Sequence, residues 1–106
     1  PVGDAALLET LRDGRLSPRF APSLKRLPRS LLLVGDAEVL LDDTLALAAR
    51  AARDGAAVDV AVFARMWHDW PLYRDCRAVG GGAVLEEADA AIALIAAWLR
   101  RHFVDV

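Results

Sequence analysis

"SLLLVGDAEVLLDD", Ser30 to Asp43, decides the fold class of this 106-residue chain. Leu31 to Val34 form an unbroken apolar run, with Pro28 ahead of it and Gly35 behind. Such a run is expected as a strand over Ser30–Gly35 that is buried on both faces, the signature of a parallel sheet. Acids then gather at Asp36, Glu38, Asp42 and Asp43. Carboxylates beside a buried strand are costly to desolvate unless a partner uses them. Asp42 or Asp43 can accept from the free N–H groups of a first helical turn, so both are assigned to capping the next helix. That helix carries Leu45, Ala48, Ala49 and Ala52 as its expected stripe and closes at "RDG" with Gly55.

Working outward, "VDVAVF", Val58 to Phe63, is valine-rich and alternating, hence a second strand. Asp59 on one of its faces suggests a place near a sheet edge. Strand, helix and strand make one right-handed βαβ unit. A loop through His68 follows, with a short helical turn around Leu72–Arg77, and "GGG" at Gly80–Gly82 breaks the chain. The last helix is expected from Val84 to Phe103, with Leu85, Ala88, Ile92, Ile95 and Leu99 as its buried stripe. Glu86, Glu87 and Asp89 at its start and Arg100 and Arg101 at its end suit the helix dipole. His102 beside them is read as solvated.

Ahead of the first strand, a helix over Asp4–Asp13 is expected, capped by Asp4, striped by Leu7, Leu8 and Leu11, and ended by a left-handed Gly14. "RLSPRFAPSLKRLPRS" then carries Pro18, Pro22 and Pro28, a density that rejects a long helix or a central strand. It reads as a loop with one short turn at Pro22–Arg26, "PSLKR" being a solvated basic turn. Two strands alone leave long unpaired apolar edges, so further strands are expected from elsewhere.

Composition narrows the function classes. With 56% hydrophobic and 26% charged residues the chain is globular. A net charge of −2 gives no basic surface for nucleic acid. The one cysteine, Cys76, excludes an internal disulfide and a cysteine-rich zinc site. It reads as an ordinary thiol and fits a reducing cytoplasm. No apolar run approaches the ~20 residues of a membrane span, and no signal-peptide core opens the chain.

Chemistry gathers where strands end. Glu38 lies four residues past Val34, and His68 five past Phe63, in the loops after two adjacent parallel strands. Those loops share one sheet edge, the place where ligands and catalytic groups collect in open α/β sheets, with bases only ~5–10 Å apart. A carboxylate there can accept from one imidazole nitrogen, fix the tautomer and leave the other to take a proton. Solvation of a lone loop histidine, and a capping role for the acid, are the plain alternatives. Asp36 is the rival acid, but at the tight turn after Gly35 it is expected to point along the sheet edge. Phe63, Met66, Trp67, Trp70 and Tyr73 bracket His68, as core or as the walls of an acyl pocket.

At these residues the sequence resembles esterases of the α/β-hydrolase fold, of the hormone-sensitive-lipase type. The resemblance runs from Ser17 to Phe103. It rests on Ser-Pro-x-Phe-Ala at Ser17–Ala21, Leu27–Pro28 before the strand, Val34–Gly35, a carboxylate at Glu38, Leu40–Asp43, and Met66-x-His68 followed by aromatic Trp70. It implies an α/β chain: the C-terminal strand-helix-strand-helix portion of that fold, with parallel strands and an incomplete sheet. Residues 1–29 would then be a helix and a Pro-rich loop, and 30–106 the βαβα unit. It also implies Glu38 as triad acid and His68 as triad base. Asp69 departs from the small or apolar residue usual after this histidine.

The family's nucleophile sits in a Gly-x-Ser-x-Gly elbow, a pattern that Ser17, Ser23 and Ser30 do not match. "VGGGAV" is not the family's oxyanion loop, because it follows His68 and lacks a preceding histidine. Nor is it a phosphate loop, since no Lys follows. Gly80–Gly82 read as a flexible approach to the last helix. A phospho-receiver reading of "LLLVGDAEVLLDD" lacks an acceptor Asp at the end of the next strand, where "VAVFAR" stands.

Two expectations follow. In the first, the chain belongs to a carboxylic-ester hydrolase that needs no metal or organic cofactor. Its acyl ester is small, and an N-terminal portion brings the serine, so the isolated chain is inactive. In the second, it is a non-catalytic, degenerate hydrolase module that persists by sheet complementation or as a homodimer.

Overall fold

The structure, a computed structural model, describes residues 2–74 and 84–103. Cys76, Arg77 and Gly80–Gly82 lie outside the described residues. Strand β1 (Ser30–Gly35) and strand β2 (Val58–Phe63) fall on the expected boundaries. They pair in parallel, in register from Ser30 opposite Val58 to Gly35 opposite Phe63. Helix α1 (Val2–Leu11) precedes them, α2 (Leu41–Arg53) connects them, and α3 (Glu86–His102) follows. None of the described helices is long and apolar enough to cross a membrane.

The sheet is less covered than its composition suggests. Only Val34 and Gly35 of β1 are buried, the rest being half-buried, so burial on both faces does not hold for the whole strand. Among the described residues β2 is the only strand paired with β1, which leaves an open edge on each. Asp59 is exposed on one of them.

The helices that follow the two strands turn faces that match the expected ones only in part, with Ala48 in α2 and Leu85, Ala88 and Ile95 at α3 shielded as expected. In α2 the shielded positions are Leu41, Thr44, Leu47, Ala48 and Ala51, and Leu45, Ala49 and Ala52 stay exposed. In α3 the packed line is Ala88, Ala91, Ile95, Trp98 and His102, and Ile92 and Leu99 stay exposed. Both helices carry alanine or leucine on nearly every side, so spacing alone does not single out a face. The caps differ too. The α2 N-cap is Leu40, with no side-chain bond, and Asp42 and Asp43 fall inside the first turn, where they act on the helix dipole. Leu41 N–H reaches back to Glu38 O at 3.4 Å, which starts the helix before either aspartate can cap it. Gly55 does close it, at φ 85°.

The N-terminal third departs most. Asp4 lies within the first turn of α1 rather than capping it, and Leu7, Leu8 and Leu11 are all exposed. Gly14 does not take the left-handed conformation. A Cβ on it would meet Ala21 Cα at 2.5 Å, so glycine serves close approach there. The short helical turn is a 3-10 turn at Pro18–Phe20, not Pro22–Arg26. Arg50 of α2 fixes it by donating to the carbonyls of Pro18, Arg19 and Ala21. Leu24 is buried within "PSLKR", and its N–H donates to Asp54 Oδ2 at 2.8 Å, so that turn is anchored rather than wholly solvated.

The buried core is small and sits beyond the strand ends. Met66, Trp70, Ala88 and Ala91 form it, with Leu33, Phe63 and Leu85 packed against them. Trp70 begins a second 3-10 turn, Trp70–Tyr73. Its ring lies 5.0 Å from Phe63, and its Nε1–H donates to Glu87 O at 3.2 Å. At the other end of α3, Trp98 Nε1–H donates to Asp59 Oδ2 at 2.7 Å. The His102 ring packs tilted against Trp98, centroids 4.9 Å apart, stands 3.8 Å from that carboxylate and is only 18% exposed, so it is not a solvated residue.

Candidate active site

Backbone ties bring the loops after β1 and β2 together. Asp36 N–H donates to Phe63 O, and Ala37 N–H donates to Met66 O, each at 3.1 Å. Asp36 Oδ1 accepts the N–H of Arg65, whose φ of 64° turns the chain sharply. Asp36 therefore clamps the histidine loop, and is neither a group pointing along the sheet edge nor the partner of His68. Gly35 makes this crossing possible, because a Cβ there would lie 2.0 Å from the Met66 carbonyl oxygen.

Within that frame Glu38 and His68 meet. His68 Nδ1 lies 3.2 Å from Glu38 Oε1, and Gly35 N–H donates to Glu38 Oε2 at 3.0 Å. The Glu38 side chain is 7% exposed and that of His68 63%. The Gly35 N–H holds the Glu38 carboxyl below the usual glutamate range, burial opposes this, and His68 lowers it further. An ionised Glu38 takes a proton-bearing Nδ1 as its partner, which leaves Nε2 as the exchangeable nitrogen.

The ring faces a depression of about 290 Å³, lined also by Leu40, Thr44, Pro71 and Ile95. A larger hollow of about 630 Å³ lies between Ser17–Arg19 and α2 and holds neither Glu38 nor His68. Of the large apolar residues around His68, Met66 and Trp70 belong to the core and Phe63 packs against it. Trp67 and Tyr73 are exposed and meet edge-to-face at 6.0 Å. One contact went unread in the sequence: Asp69 Oδ2 stands 3.3 Å from His68 Nε2. Its only signal was a carboxylate directly after the histidine.

Comparison with known proteins bears on the family and the fold. The alpha/beta hydrolase fold family matches residues 4–72. An ethyl acetate hydrolase of Pseudomonas putida is 29% identical over 97 residues, which cover 88% of this chain and 28% of that protein. A crystal structure of an esterase/lipase from an uncultured bacterium superposes with a TM-score of 0.71 at 33% identity, over 88% of this chain and 29% of the other. The chain thus spans less than a third of the length of either. That family match covers well over half of the chain, and the chain belongs to the alpha/beta hydrolase fold family.

Proposed function

We propose that this chain supplies the acid and the base of a serine carboxylic-ester hydrolase acting on small acyl esters. The observation that carries the reading is the 3.2 Å contact between His68 Nδ1 and a buried Glu38 carboxylate. The hydrolase names of both relatives support it. A serine from outside this chain attacks the ester carbonyl while His68 Nε2 takes its proton. His68 then hands that proton to the departing alkoxide, and Glu38 stabilises the imidazolium in between. Water repeats the cycle on the acyl-serine, releasing the acid. No metal or organic cofactor enters this chemistry. The single cysteine suits a cytoplasmic setting.

The experiment is a chimera in which this chain replaces the segment it matches in the Pseudomonas putida hydrolase. A folded chimera that hydrolyses short acyl esters, and loses about 10⁶-fold in kcat on His68→Ala, is the expected result. Full activity with alanine at position 68 would remove the reading. A second reading rests on the open sheet edges: a non-catalytic module that binds another chain through its sheet. A chimera that folds without turnover favours that one.

A further inference from the structure

We propose that Asp69 is a positioning residue that contests the outer nitrogen of His68, so that the ring serves as a base only when the Asp69 carboxylate swings into solvent. The inference rests on the acid–base reading of Glu38 and His68. The imidazole lies between two carboxylates, with Glu38 Oε1 3.2 Å from Nδ1 and Asp69 Oδ2 3.3 Å from Nε2. An ionised carboxylate attracts an N–H and repels a lone pair. Both contacts are therefore favourable together only when the ring carries both protons. A general base needs Nε2 bare, so the Asp69 contact opposes the state in which His68 accepts a proton.

The two carboxylates differ in freedom. Glu38 is buried and pinned by the Gly35 N–H, whereas the Asp69 side chain is 56% exposed. Asp69 holds the left-handed conformation at φ 59° and precedes the Trp70–Tyr73 turn without a side-chain capping bond. Its backbone carbonyl serves that turn instead, accepting from Leu72 N–H at 3.0 Å. The carboxylate is thus free to rotate about χ1 without undoing the turn. Among the described residues, the other walls of the depression are Leu33, Val34, Leu40, Thr44, Trp70, Pro71 and Ile95, none of which titrates against the ring. A serine hydroxyl and the Asp69 carboxylate would approach the same nitrogen, so a substrate-ready site needs Asp69 turned away.

The test is ¹⁵N NMR of the imidazole nitrogens in the 106-residue chain at neutral pH, with a His102→Gln variant assigning the signals. Relative to wild type, Asp69→Asn and Asp69→Ala should move the His68 Nε2 signal toward the bare-nitrogen range, and Asp69→Glu should restore the wild-type position. The same two neutral variants should react severalfold faster with diethylpyrocarbonate at His68, since that reagent acylates bare imidazole nitrogen. An Nε2 signal and acylation rate that stay put in Asp69→Asn would overturn the proposal. Neither readout needs an ester or a nucleophile. Failure here leaves the hydrolase reading standing, and an inactive chimera removes that reading without touching Asp69.

Discussion

The two oxygens of Glu38 are committed to different partners, Gly35 N–H and His68 Nδ1. Its carboxyl is held below the ordinary glutamate range chiefly by the first of these. Folding therefore favours the ionised form. The stabilisation is present above the ordinary glutamate range and is lost as pH falls through the lowered value. Urea midpoints measured across the acid limb should fall less steeply in Glu38→Gln than in wild type, and parallel limbs would deny the linkage. In the chimera, the same substitution keeps the shape and removes the charge that stabilises imidazolium, so kcat should drop about 10⁴-fold. Glu38 and His68 were legible as residues because each follows an apolar strand by a loop of a few positions. Asp69 and Gly35 were not, since their roles depend on rotamer and on close approach of backbone.

At the scale of elements, the strands and the closing Gly55 stood in the sequence to the residue, because valine and leucine runs bounded by glycine admit few alternatives. Helix faces stood there only in part. Where Ala46, Ala48, Ala49, Ala51 and Ala52 surround α2, tertiary contacts such as Arg50 on the Pro18–Ala21 carbonyls decide which side turns inward. His102 escaped for a related reason, since only the tertiary fold brings the end of α3 to Asp59. Two substitutions test these joints. Gly35→Ala should lower stability by about 1–3 kcal/mol, because its methyl would force the Met66 carbonyl away and strain the Ala37 bond. Its urea midpoint reads this directly, and an unchanged midpoint would mean that the loops can part freely. Trp98→Phe removes the indole donor to Asp59 and should lower stability by about 1 kcal/mol, with the far-ultraviolet spectrum retained.

Taken whole, the molecule is open. Its radius of gyration is 17.4 Å, against about 13 Å for a compact domain of roughly 100 residues. It exposes 7915 Å², whereas a compact protein of this mass exposes about 5,800 Å². An excess on the order of 2,000 Å² on one chain exceeds the roughly 800 Å² that each partner brings to a standard interface. Leu7, Leu8 and Leu11 on α1 and Val60 and Val62 on β2 belong to that surface. Alone in dilute buffer the 106-residue chain should associate with rising concentration in light scattering. A monomer that stays monomeric at high concentration would show that this surface needs no cover. The incomplete sheet was legible from strand count, but what covers it is written in no residue of the chain.

The most direct measurement of the central claim is a double-mutant cycle on ester hydrolysis in the chimera, combining Glu38→Gln with His68→Ala. If one carboxylate works only by way of one imidazole, Glu38→Gln lowers kcat on its own but adds nothing once His68 is gone. Losses that multiply in the double variant, or wild-type turnover without His68, would contradict it.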